Sequence, residues 1–290
     1  IILSSGVRLD FNDYEKSIFL SSRINIDYKI FDKTNLIFNI GNYYQNPPEI
    51  YLSVNKNDLK SVRNIQQSLT LEHIFFKDTK FSLSIYNKDY SNAPILKPDS
   101  SYIDPTFLMD QLIMYDGIVS RGEANSKGLE ILLQKKRVEK FYGLIGGSYF
   151  NSLFKDFNGY EWNRNYNYKY ILNIVGGYRP NDQWEISVRW SLFGGKPYTR
   201  INEAASSLFG KQVLYLDDFN GEKTPEYHSL FIRYERRFNL KRSNLITYIE
   251  LWNAYNRENI ETLLWSEELN QITKETYFDF IPVGGVELEF

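Results

Sequence analysis

Apolar and polar residues alternate along this chain with a period of two. In SIFLSSRINIDYKI, Ile18, Leu20, Ile24, Ile26, Tyr28 and Ile30 share one parity, while Ser21, Arg23, Asn25, Asp27 and Lys29 take the other. QWEISVRWSLF repeats the pattern, with Trp184, Ile186, Val188, Trp190 and Leu192 set against Glu185, Ser187, Arg189 and Ser191. Successive side chains of a strand point to opposite faces, so each segment predicts an antiparallel strand with one oily and one wet face. Roughly twelve such strands are predicted, near 1–11, 17–30, 34–44, 63–76, 79–91, 123–137, 141–154, 168–179, 183–193, 227–238, 243–254 and 274–290. Most exceed the common strand length of about 5–6 residues and meet the roughly 9–11 that a tilted strand needs to cross a bilayer.

The connections alternate as well. Those at FDKT, FKDTK, RVEK, RPND and NLKRSN are tight and polar, with residue types suited to turns. Their alternates at 45–62, 92–122, 155–167, 194–226 and 255–273 are long, and only NDYEK among them is brief. Turns on one side and loops on the other are the layout of an outer-membrane barrel, with the loops outside the cell. A soluble sandwich has no reason to sort its connections this way. The predicted fold class is therefore all-β, an antiparallel transmembrane β-barrel. Tyr43, Tyr44, Trp162, Tyr178, Trp184 and Trp252 lie near strand ends, where interfacial aromatics would sit.

Composition changes this picture little. The 23 Tyr, 20 Phe and 5 Trp favour strands, and a net charge of −2 argues against a nucleic-acid partner. The absence of Cys removes disulfides, thiolate metal sites and cysteine nucleophiles together. No stretch approaches the roughly 18 apolar residues of a membrane helix. The mean hydropathy of −0.44 would read as soluble, but alternation hides the hydrophobicity of a barrel. The opening IILSSGVRLDF already reads as a strand, as a processed or incomplete piece would.

Several stretches, taken in order, resemble the C-terminal barrel region of a TonB-dependent outer-membrane receptor. They are IGNYYQNPPEI (Ile40 to Ile50), SKGLEILLQ (Ser126 to Gln134), GGKPYT (Gly194 to Thr199), HSLFIRYERRF (His228 to Phe238), IELWNAYNREN (Ile249 to Asn259) and the closing PVGGVELEF. The resemblance implies a barrel of about 22 strands around a plug, of which residues 1–290 would be the C-terminal half. The plug, TonB box and first strands lie outside this sequence. It also implies active import of a scarce nutrient into a Gram-negative bacterium, without catalysis or a cofactor. The implied partners are TonB, ExbB and ExbD through the missing N-terminal part, the protein's own plug, the barrel-assembly machinery, and surrounding lipid and lipopolysaccharide. A surface lipoprotein is a further candidate.

Candidate sites follow. In VGGVELEF, Gly285, Leu288 and Phe290 match the spacing of an assembly signal, the plainer alternative being an amphipathic strand that ends on Phe. Tyr160, Trp162, Arg164 and Tyr166, among the amides of NGYEWNRNYNYKY, mix rings with hydrogen-bond donors suited to ligand capture. Phe107 belongs to a second long loop, in which Leu108, Leu112, Ile113 and Met114 have near-helical spacing. Ordinary loop packing is the alternative for all of these. Arg23, Asp27, Glu185, Arg189, Arg233 and Glu235 would line the lumen and face a plug, and Arg236 on the opposite parity could snorkel to headgroups.

Catalysis and metal binding find little support. His228 and Ser229 are neighbours in a strand and point apart. Asp217 and Asp218 read as a solvated loop more readily than as a calcium site. Glycines in GLIGGSYF, IVGGYRP and PVGGVELEF lack the strand-to-helix setting of a phosphate loop. Two other classes remain open at this stage. One is a self-contained outer-membrane barrel of about twelve strands, a passive pore or lipid enzyme; the other is a soluble all-β binding protein.

Overall fold

A computed structural model of the chain describes residues 1–54, 59–76, 78–97, 108–110 and 117–290. The alternating segments form one antiparallel sheet. Its twelve wall strands are β1 (Ile2–Asn12), β2 (Ser17–Phe31), β3 (Thr34–Gln45), β4 (Val62–Phe75), β5 (Thr79–Leu96), β6 (Ile118–Lys135), β7 (Phe141–Lys155), β8 (Tyr170–Tyr178), β9 (Trp184–Phe193), β10 (Tyr227–Asn239), β11 (Asn244–Trp252) and β12 (Ile281–Glu289). Each pairs with the next in sequence order, and a short strand, Glu161–Asn163, adds to β7.

Register puts all the oily parities on one side. Ile24, Phe38, Leu69, Ile85, Leu129, Ile131, Ile145, Val188 and Ile249 are all exposed on that outer face. The opposite face carries Asn25, Asn39 and Ser68 in one hydrogen-bonded row, in which Asn25 donates to Asn39 at 2.6 Å and Asn39 to Ser68 at 3.3 Å. A water-soluble sheet would cover the apolar side. Here the buried apolar residues instead gather at the long-loop end, in one cluster built on Ala93, Ile95, Ala124, Phe154 and Phe219 and another on Tyr51, Leu59, Leu96, Leu108 and Ile118.

That loop core explains why two strands outrun their predicted ends. β5 and β6 each run to 18 residues, about 60 Å at 3.3 Å per residue and about twice the hydrocarbon thickness of a bilayer. Their upper turns, with irregular register around Ala93 and Pro94, stand clear of the membrane and pack the clusters. Such bulges break the period of two and hide the extension from a sequence reading.

The last strand needs correcting too. It was expected over 274–290 but begins at Ile281, while Gln271–Thr276 pairs with Ile260–Ser266 in a separate hairpin inside the supposed loop. Within β12 the faces are as the alternation reads, with Val286 and Leu288 opposite outer Thr247 and Leu245, and Glu287 opposite inner Ile246. Tyr178 and Trp184 form an outer aromatic pair beside the short turns, 5.6 Å between centroids. Trp252, expected in the same role, faces inward and donates to Glu250 at 2.8 Å.

Candidate functional site

The residues proposed for ligand capture divide by what holds them. Asp156 accepts from the backbone N–H of Asn158 and Tyr160 and from the Trp162 indole, all at 2.9 to 3.0 Å, which shapes the loop after β7. The Trp162 ring then meets Phe219 edge-on at 6.2 Å. Arg164 forks onto Asp110 from the preceding long loop, its Nε 3.0 and 3.1 Å from the two carboxylate oxygens, and Asp110 is only 4% exposed. These two side chains are struts of the loop module. Tyr160 and Tyr166 are 65% and 54% exposed and remain free to meet a ligand from outside. Phe107, Leu112, Ile113 and Met114 lie outside the described residues.

Removing the cation of a buried pair leaves an uncompensated charge, at a cost of about 3–5 kcal/mol. Arg164→Ala is therefore expected to speed proteolysis within 156–169 more than tenfold, measured on the folded protein. Unchanged cleavage would show that Asp110 does not hold this loop.

Buried amides knit the module together. Asn167, fully buried, donates to Asn163 at 2.7 Å and Asn151 at 3.1 Å, and accepts from the Ser152 N–H. Asn220 donates to Asn165 at 2.8 Å. A row of rings runs beside them, Tyr166 to Tyr168, Phe193, Tyr227 and Tyr277, with successive centroids 5.1 to 6.3 Å apart. Phe193 and Tyr227 are cross-strand partners on the inner parity, so the row descends from the loops into the mouth of the lumen. Sequence reasoning missed Phe193, Tyr227 and Tyr277; only the β9–β10 register reveals them.

Burial first, then the neighbouring Tyr277, pushes the Tyr168 phenol up to about 12. A raised folded value favours the protonated form, so this contribution is intact below about pH 10 and is lost as the pH rises towards 12. Phenolate absorbance should show one fewer late-titrating tyrosine in Tyr168→Phe than in the wild type. Identical titrations would contradict this placement.

Lower on the wall lies an ionic lattice. Arg233 on β10 donates to Glu250 of β11 at 2.5 Å and to Glu235 at 2.9 Å, and Arg237 donates to Glu235 at 3.0 Å. Glu185 accepts from the Tyr142 hydroxyl. Arg189 stacks on Phe231 at 4.1 Å. Tyr142, Arg189, Phe231, Arg233 and Glu250 line an inner cleft of about 410 Å³ together with Val175 and Trp252, and Glu185 and Glu235 are cross-strand partners on the same wall. Four of the six lumen candidates, Glu185, Arg189, Arg233 and Glu235, thus lie close together. Arg23 and Asp27 sit apart on the same face, opposite Gly41 and Ile37. Tyr142, Glu250 and Trp252 were missed, although the parity of Glu250 and Trp252 in β11 was available.

At the C-terminus, the Tyr248 ring lies against Gly285, its cross-strand partner, and Arg233 covers the ring at 4.0 Å. A Cβ at position 285 would come within 2.4 Å of that ring, so a side chain there would have to displace the Tyr248 ring. Leu288 faces outward and Phe290 is almost wholly exposed. His228 and Ser229 do point apart: the imidazole Nδ1 meets the Tyr255 hydroxyl at 2.7 Å, while Ser229 is buried. Among the described residues no three His, Asp or Glu side chains group as a metal site.

Comparison with known proteins adds three findings. A family model described as "TonB dependent receptor-like, beta-barrel" matches residues 1–254. No curated protein matches. Among solved structures, the chain is similar to the ferric-catecholate import receptor Fiu from E. coli K12 (TM-score 0.62, 10% identity, 95% of this chain and 35% of that one). It is also similar to BauA, the ferric preacinetobactin receptor of Acinetobacter baumannii (0.62, 13%, 99% and 40%). A third is the ferripyoverdine receptor of the outer membrane of Pseudomonas aeruginosa (0.66, 11%, 93% and 33%). Likeness at this identity shows the fold, and the chain spans between 33% and 40% of the length of these three structures.

Proposed function

This chain belongs to the TonB-dependent receptor-like β-barrel family, and from that premise we propose that it is the wall of an importer that brings a scarce nutrient across the outer membrane. The observation that carries the reading is the two-faced sheet: an exposed apolar face fit for lipid, and a polar face bearing the Arg233–Glu235–Glu250 lattice. Ligand capture falls to the loop module through Tyr160 and Tyr166. Arg23, Asp27, Glu185, Arg189, Arg233 and Glu235 face a plug contributed by the same protein outside this sequence. TonB, energised by ExbB and ExbD, acts on that missing part. The wall encloses, orients and excludes; it performs no reaction.

Other partners follow from position. The apolar face meets lipid and lipopolysaccharide, β12 with Gly285, Leu288 and Phe290 is offered to the barrel-assembly machinery, and a surface lipoprotein could cover the loops. The three structural relatives are receptors of ferric catecholate, ferric preacinetobactin and ferripyoverdine; for this chain the substrate class is set by the loops, whose exposed phenols suit a ligand with ring and hydroxyl groups.

A growth screen over scarce iron, carbon and nitrogen sources tests the proposal, run with and without the full gene and with and without TonB. The expected result is at least one nutrient whose use at low concentration needs both. Permeation that needs the gene and not TonB would make the protein a passive pore instead.

A further inference from the structure

The oily outer face ends on one register row of β5, β6 and β7. Ile85, Leu129 and Tyr149 are cross-strand partners there, and all three are exposed. The next outward-facing row, two residues nearer the long loops, is Asn87, Lys127 and Asn151, and the row beyond it is Asp89, Asn125 and Leu153. Two residues of strand rise about 7 Å, so the face turns from oily to largely polar within one step. On a wall that meets lipid below and water above, that step lies at the headgroups of the outer leaflet.

On the step sits a cleft of about 480 Å³ whose lining includes Asp89, Glu123, Asn125, Lys127, Asn151 and Lys155. These six have the outer parity, and the inner parity contributes only Tyr90, Ala124 and Phe154. The acids of the cleft are engaged. Asp89 accepts from Asn87 at 2.5 Å and from Asn125 at 2.6 Å, Glu123 pairs with Lys155 at 3.1 Å, and Glu161 lies within charge range of the same lysine.

Three cations at the rim are left over. Lys127 is exposed, Lys169 donates to the Asn151 side chain, and none of Lys127, Lys169 and Lys223 has a carboxylate partner among the described residues. Burial first, then the neighbouring Lys169 charge, holds the Lys223 ammonium below the usual lysine range. An anion beside these lysines would offset that repulsion. Phosphate suits an ammonium group, sugar hydroxyls suit amides, and acyl chains suit the oily row directly below. A phosphorylated glycolipid carries all three, whereas free phosphate or free sugar lacks the chains. We propose that this outer rim binds the headgroup of lipopolysaccharide, with Lys127, Lys169 and Lys223 on its phosphates, Asn125 and Asn151 on its sugars, and its chains along Ile85, Leu129 and Ile131. The inference rests on the barrel wall of the importer reading for the bilayer around it, and deepens that reading by giving lipopolysaccharide a site.

The probe is lipid A carrying both phosphates, titrated against the full-length protein in detergent and read by native mass spectrometry. Wild type is expected to bind it about tenfold more tightly than lipid A stripped of both phosphates, a comparison that needs no variant to fold. Lys127→Gln with Lys223→Gln should weaken binding of the phosphorylated form about tenfold and leave the stripped form unchanged. Lys29→Gln with Lys88→Gln removes the same charge from the inner parity and should change neither. No preference for the phosphates in the wild type would overturn the proposal. So would equal weakening by the two double variants, or displacement of lipid A by inorganic phosphate alone, which would make the rim a small-anion site. The assay needs neither TonB nor a nutrient, so its failure leaves the importer reading standing, and a failed growth screen leaves the binding result intact.

Discussion

Ile131→Arg is expected to deplete the assembled protein from outer membranes. Ile131 lies between Leu129 and Leu133 on the outer face of β6, exposed like both of them, and faces Leu83 of β5 across the ladder. An arginine on the lipid face near the bilayer centre costs about 2–4 kcal/mol, a large fraction of the roughly 5–15 kcal/mol that holds a folded domain together. The matched control is Ser148→Arg on β7, which turns to the lumen and stands beside Glu130. It meets water and a carboxylate instead of hydrocarbon. Membrane fractions resolved by heat-modifiable gel migration should show the first variant depleted several-fold and the second near wild-type abundance. Equal depletion would mean that the two faces do not differ as described.

Arg233→Met should have a comparable effect on stability. The guanidinium bridges Glu235 and Glu250 and covers the Tyr248 ring, so its loss strands Glu250 on the inner wall and leaves Glu235 to Arg237 alone. Breaking a buried pair costs about 3–5 kcal/mol; Arg233 remains 32% exposed, which places the expectation near the lower bound, about 3 kcal/mol. The thermal midpoint in detergent reads this. Adding Glu250→Gln to Arg233→Met should recover more than half of the loss, since one stranded charge is then gone and Arg237 still holds Glu235. A double variant no better than the single would show that the lattice is not what stabilises this wall.

Much of this architecture was legible because the two faces meet different solvents. Ile24 and Arg23 are neighbours, and only a sheet with lipid on one side and a wet lumen on the other keeps such alternation for strand after strand. The tight turns were legible through their Asn, Asp, Pro and Lys content. What escaped was long-range. Arg164 gave no sign of Asp110, 54 residues away, so a strut read as a ligand contact. The expected last strand took in residues 274–276, which pair inside a loop, because a local pattern reports a ribbon and not the sheet it joins. Where the β2–β3 ladder ends, beyond Arg23 and Gly41, is a matter of pairing as well. Register, not pattern, carries that information.

The central claim is that the apolar face of this sheet meets lipid. Nitroxide labels placed one at a time at 128–133 on β6, in the full-length protein in bilayers, test it most directly by collision with oxygen and with a polar nickel chelate. The prediction is a strict period of two, with labels at 129, 131 and 133 open to oxygen and shielded from nickel, and those at 128, 130 and 132 not. Labels at 129, 131 and 133 closed to both reagents would mean that another protein layer covers this face, and would contradict the barrel.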